Sequence, residues 1–142
     1  MNAVRLIAIF AQNLPGQSAR ITKILADAGI NIHWTTVANS GSFGVVKFLV
    51  AGRDYAEKTL RAAGLMVNTL EVVAVSTENK AGALHAVVEA LSKEGLNLDN
   101  VSGFVTNQKA IILVETPATE QARAILSQKG FHVLSEEELL AV

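Results

Sequence analysis

The sequence predicts an α+β protein built from two ferredoxin-like βαββαβ units, each an antiparallel sheet with both helices on one face. Three observations predict it. The loop Asn13-Leu14-Pro15-Gly16 returns 66 positions later as Asn79-Lys80-Ala81-Gly82. The same offset, applied without a gap, pairs Ala8 with Ala74, Leu25 with Leu91, Gly29 with Gly95, Asn31 with Asn97, Leu60 with Leu126 and Gly64 with Gly130. Apolar periodicity then runs strand, helix, strand, strand, helix, strand, twice over. Residues 1–69 and 70–142 are read as the two copies.

In chain order, Val4–Phe10 is a β-prone apolar run broken only by Arg5. From Gln17 to Ala28 the apolar residues Ile21, Ile24, Leu25 and Ala28 make a helical stripe, closed by Gly29. Ile30–Asn39 alternates Ile30, Ile32 and Trp34 with Asn31, His33 and Thr35, as a half-buried strand does. Ser40-Gly41-Ser42 is a hairpin turn, and Phe43–Ala51 is the third strand. A helix over Arg53–Ala63 turns Ala56, Leu60 and Ala63 inward and stops at Gly64. Leu65–Leu70 is the fourth strand.

The second copy follows the same plan. Leu70–Ser76 is a strand, and Gly82–Glu94 a helix with Leu84, Val87, Val88 and Leu91 on one side. Leu96–Val105 and Ala110–Glu115 form a hairpin. Thr116-Pro117 reads as a cap and first helical turn, the helix runs to Lys129, and Phe131–Leu134 is the last strand. Between Leu65 and Val75 there is no strong turn former, so one sheet passes almost straight into the next. A unit of about 66 residues buries only about 60% of its unfolded surface, which favours packing of the copies together.

Composition narrows the function. Net charge is −1 from 12 basic and 13 acidic residues mixed along the chain, without the basic stripe that would neutralise a nucleic acid. No apolar run approaches the roughly 20 residues of a membrane span, and no secretory leader pattern is present. The absence of cysteine fits a reducing cytoplasm. Glu136-Glu137-Glu138 reads as a solvated face or a helix first turn. His33, His85 and His132 occupy unrelated repeat positions with no metal-ligand spacing. No nucleophile elbow, phosphate loop or dinucleotide fingerprint occurs, so the expectation is no catalytic residue, no cofactor and no metal.

The polar residues that recur are Asn13 and Asn79 in the strand-to-helix loop and Asn31 and Asn97 at the second strand. An asparagine amide offers both donor and acceptor, which suits a zwitterion. Gly16 and Gly82 open a helix, where unpaired backbone N–H groups favour an anion. Asparagine and glycine are also ordinary turn residues, and on spacing alone both readings stay open.

Asn-x-Pro-Gly after a strand, a helix ending in Ala-Gly-Ile-Asn-Ile, and Asn79, Gly82 and Gly95-Leu96-Asn97-Leu98 in the matching places resemble the ACT domain, a regulatory module best known for binding amino acids. The resemblance covers almost the whole chain and implies a stand-alone tandem ACT protein. It implies an effector held between two units, touching the loop asparagine of one and the second-strand asparagine of the other. The ligand-binding residues it implies are Asn13, Leu14, Pro15, Gly16, Asn31, Asn79, Lys80, Ala81, Gly82 and Asn97. Within one unit the loop and the start of the second strand lie at opposite ends of the sheet, so two units are needed. If units pair within the chain along their second strands, Asn13 faces Asn97 and Asn79 faces Asn31. The partners implied are an amino acid and a second copy in a homodimer, with neither nucleic acid nor membrane. The alternative is an interaction subunit docking on an amino-acid biosynthetic enzyme, with Trp34 and Phe104 as patch candidates.

There are departures from the family pattern. Serine-binding members often carry histidine two residues before the loop asparagine, where this chain has Ala11 and Thr77. Ala81 replaces the proline, and His33 stands where the second copy has Asp99. The two sites are therefore expected to be inequivalent.

Overall fold

A computed structural model describes residues 3–142. The chain divides into two compact units, Arg5–Leu70 and Glu71–Val142, the second also taking in the first described residues, Ala3 and Val4. The first unit contains β1 (Val4–Gln12) from Arg5 onward, α1 (Gln17–Asp27), β2 (Ile32–Ser40), β3 (Phe43–Val50) and α2 (Arg53–Ala62). It ends in β4 (Val67–Glu78), which continues without a break into the second unit, as the lack of a turn former there leads one to expect. The second unit adds α3 (Ala83–Ser92), β5 (Asn100–Val105), β6 (Lys109–Glu115), α4 (Thr119–Gln128), β7 (His132–Leu134) and a short α5 (Glu136–Leu140).

The strand order is β2-β3-β1-β4 in the first unit and β5-β6-β4-β7 in the second, the same ferredoxin-like order twice. The ladders β1–β3, β2–β3, β4–β6, β4–β7 and β5–β6 are antiparallel. Helices lie on one face of each sheet. In the first unit Ile21 and Leu25 of α1 and Ala56 and Leu60 of α2 pack on Ile7, Ile9, Val46 and Phe48. In the second, Val87 and Leu91 of α3 and Ala122 and Leu126 of α4 pack on Val73, Val75, Ile112 and Val114. Alternate residues on the other strand face, Leu6, Ala8 and Leu49 in one unit and Val72, Ala74 and Leu113 in the other, are buried as well.

Four local features depart from the sequence reading. Alternation in β2 breaks at a bulge: Ile32 pairs with Val50 but Trp34 with Leu49, so Ile32 joins the helix-side core while Trp34 turns to the other face. β5 begins at Asn100, not Leu96, because the Thr116 hydroxyl donates to the Asn97 carbonyl at 2.8 Å and Leu96 and Leu98 pack against the core. Thr116 is not the cap of α4 either: its hydroxyl oxygen accepts the Ala118 N–H at 3.4 Å, and the helix starts two residues later, from Ala118. Leu84 is not on the buried stripe of α3, which is Ala83, Val87, Ala90 and Leu91; Leu84 is 52% exposed. The glutamate cluster is the first turn of α5, closed by a capping box between Ser135 and Glu138.

Candidate functional site

The two loops share one backbone. The Asn13 N–H donates to the Ser42 carbonyl at 2.7 Å and the Asn79 N–H to the Gln108 carbonyl at 3.0 Å, so each loop is pinned to the neighbouring hairpin. Leu14 N–H to Gln12 O and Lys80 N–H to Glu78 O follow at 2.9 and 3.0 Å. Gln17 N–H to Leu14 O and Ala83 N–H to Lys80 O close the turn, both at 3.2 Å. Ala81 therefore does in the second loop what Pro15 does in the first. Both helices are entered from a left-handed glycine, Gly16 at φ 83° and Gly82 at φ 86°, a conformation that a side chain would strain.

The side chains differ. The Asn13 amide donates to the Gly41 carbonyl at 3.1 Å, tying down the hairpin turn. Among the described residues, the Asn79 amide has no intramolecular partner, and it is exposed. Lys80 lies 3.4 Å from the Glu78 carboxylate, with both side chains about two-thirds exposed (68% and 69%).

Asn79 and Lys80 stand at the meeting of two concavities. One, of about 320 Å³, is an apolar groove on the helix side of the second unit, between the start of α3 and the β5–β6 hairpin. Ala83, Leu84, Val101, Val105 and Ile112 line it. The other, of about 390 Å³, is polar and bounded by Glu78, Asn107, Gln108 and Lys109. Gly103 forms part of the apolar floor, where a Cβ would come within 2.8 Å of the Ile111 carbonyl oxygen.

Asn31 and Asn97 are exposed and lie outside the strands proper, Asn31 one residue before β2 and Asn97 three before β5. The loop of each unit sits at the opposite end of its sheet. Gln12 of β1 is level with Phe43 and so is Ser40, the last residue of β2, whereas Ile32 at its start is level with Val50. The nine residues of β2 span about 30 Å at about 3.3 Å each. Neither unit by itself brings its loop asparagine to its second-strand asparagine. β2 is hydrogen-bonded to β3 and β5 to β6, each forming an edge of its unit's sheet.

His85 and His132 pair with Glu89 and Glu138 at 2.6 and 2.8 Å on the surface, and His33 is exposed. Among the described residues no three His, Cys, Asp or Glu side chains gather as a metal site, and no helix is long and apolar enough to cross a membrane.

Glu78, Leu84, Gly103 and Val105 were not singled out as site residues from sequence. Comparing the repeats shows that Glu78, Leu84 and Val105 differ in polarity from Gln12, Ser18 and Asn39, but only the fold brings Leu84 and Val105 together with Gly103 around one groove, and Glu78 to the concavity beside it.

The family model described as the ACT domain pair matches residues 2–142. Among solved structures, protein BT0572 from Bacteroides thetaiotaomicron superposes with a TM-score of 0.93 at 27% identity, over 99% of this chain and 98% of its own. The ligand-free regulatory subunit of aspartate kinase from Thermus thermophilus gives 0.58 at 17% identity, over 92% and 94%. That from Thermus flavus gives 0.58 at 17%, over 90% and 92%. The likeness to the last two is one of fold. No curated protein matches the chain.

Proposed function

The chain belongs to the ACT domain pair family, and from that premise we propose that it is a non-enzymatic regulatory protein that binds an amino acid between paired ACT units. The observation that carries this reading is the Asn79 amide, exposed and unpartnered, at the mouth of a groove beside an ion pair of both signs. A free carboxylate is met there by the Lys80 ammonium and the Asn79 NH₂ group. A free ammonium is met by the Glu78 carboxylate. In this reading Asn31 of a paired unit would complete this site, and Asn97 the one at Asn13, Leu14, Pro15 and Gly16. The chain acts in this reading as a homodimer in the cytoplasm.

Ligand that binds only the folded protein stabilises it, by about 2.7 kcal/mol at a hundred times Kd. For a chain of 142 residues that is a rise in Tm of about 5–10 °C. A thermal-shift screen of the twenty amino acids at millimolar concentration tests the reading. A flat response across all twenty overturns it.

A second reading, docking on a biosynthetic enzyme, is favoured by one observation. Phe10 and Phe43 are 52% and 62% exposed and lie on one face of the first unit's sheet, where Phe10 pairs with Val45 and Phe43 stands two residues away. These two, rather than Trp34, present the apolar surface such a partner would cover. Retention of a purified amino-acid biosynthetic enzyme by the wild type but not by F10S/F43S would support it.

A further inference from the structure

Resting on the reading that the chain binds an amino acid, we propose that the site in the second repeat selects amino acids with an apolar side chain, whose tail fills the groove beside Asn79 and Lys80. The argument comes from setting the two repeats side by side. Ala83, Leu84, Val101 and Val105, which line the groove, stand at the repeat positions of Gln17, Ser18, Thr35 and Asn39 in the first copy. Four apolar side chains thus replace four polar ones around the same backbone. Gly103 replaces Val37, so the floor carries no side chain there, and a Cβ would crowd the Ile111 carbonyl. In the first copy the Asn39 amide oxygen instead lies over Gly44, across the corresponding ground.

The head of the site changes in the opposite sense. Glu78 and Lys80 replace Gln12 and Leu14, so the second copy gathers charge where the first has none. Charge at the mouth and hydrocarbon inside fit a molecule that is a zwitterion at one end and apolar at the other. Burying a side chain of leucine size against the groove favours it over a short polar one by about tenfold or more. A serine, lysine or aspartate side chain would lose water there without gaining a partner from those residues.

The test is calorimetric titration of the full chain with leucine, valine, methionine and phenylalanine against serine, threonine, lysine and aspartate. It is repeated on L84S and on V105N, which give the groove the first copy's residues at two exposed positions, with circular dichroism to check folding. Apolar amino acids are expected to bind at least about tenfold more tightly than polar ones, and each variant to lose much of that margin. Preference for a polar amino acid, or apolar binding unchanged in both variants, overturns the proposal while leaving amino-acid binding intact. Absence of binding by all eight, with no thermal shift from any of the twenty, overturns the functional reading itself.

Discussion

Asn13 and Asn79 occupy the same place in the same loop, yet only Asn13 spends its amide on the protein, on the Gly41 carbonyl. Replacing each by alanine should therefore separate two effects. Asn13→Ala is expected to lower stability by about 1 kcal/mol, the usual worth of one such bond, seen as a lower denaturation midpoint. Asn79→Ala should leave the midpoint almost unchanged and weaken ligand binding by about ten- to a hundredfold, as loss of a hydrogen bond to a charged group does. Equal affinity in Asn79→Ala and wild type would remove Asn79 from the site. Gly82→Ala is expected to cost about 1–2 kcal/mol, because φ 86° presses a Cβ toward the following carbonyl. The repeated asparagines and glycines were legible in the sequence because loop chemistry is local and each copy vouches for the other. Leu84 and Gly103 were not. At helical spacing a leucine reads as core, and only the hairpin's position across from α3 shows that Leu84 sits at a groove mouth and Gly103 on its floor.

The order of strands and helices could be read from apolar period and glycine stops, whereas the irregularities came from contacts distant in sequence. The bulge in β2 follows from Ile32 being drawn to the helix-side core, and the late start of β5 from Thr116 holding Asn97. Charge contacts of the same long-range kind anchor α4. Arg123 reaches Glu71 of β4 at 2.8 Å, and Thr119 bonds the same Glu71 oxygen at 3.3 Å. The Arg123 side chain is only 13% exposed and its Nε has no hydrogen-bond partner, so the guanidinium depends on Glu71 and on Glu120. Glu71→Ala is expected to cost about 1–2 kcal/mol, with faster amide exchange in α4 than elsewhere. The C-terminal helix carries a pH dependence instead. The Ser135 N–H, and next the His132 ring, hold the Glu138 carboxyl below its ordinary range. A depressed folded pKa means that the support Glu138 gives is present above the unfolded value, roughly 4.3, and is lost as pH falls through the lower folded one. Exchange of the α5 amides should rise over that acid range, and Glu138→Gln should flatten the rise.

At the scale of the molecule the proposed function requires a second unit, since a unit places its own loop and its own second-strand asparagine at opposite ends of its sheet. β2 and β5 each carry a sheet edge, and unpaired edges are a liability that proteins cover or pair. A second copy pairing along such an edge would bring an asparagine to each loop and bury the exposed backbone in one step. Wild-type protein is accordingly expected to run in sedimentation at twice the chain mass, with ligand tightening the dimer by the same factor that dimerisation tightens ligand. Thr36 is the central residue of β2 and Ser102 holds its repeat position on β5. Glutamate at both puts negative charge at the middle of each edge strand, and like charges on facing strands repel. T36E/S102E should therefore sediment as a folded monomer and lose most of its affinity for amino acid. A wild-type monomer that binds ligand as tightly as the reading requires would show instead that one chain holds a complete site, and the second-strand asparagines would drop out of it.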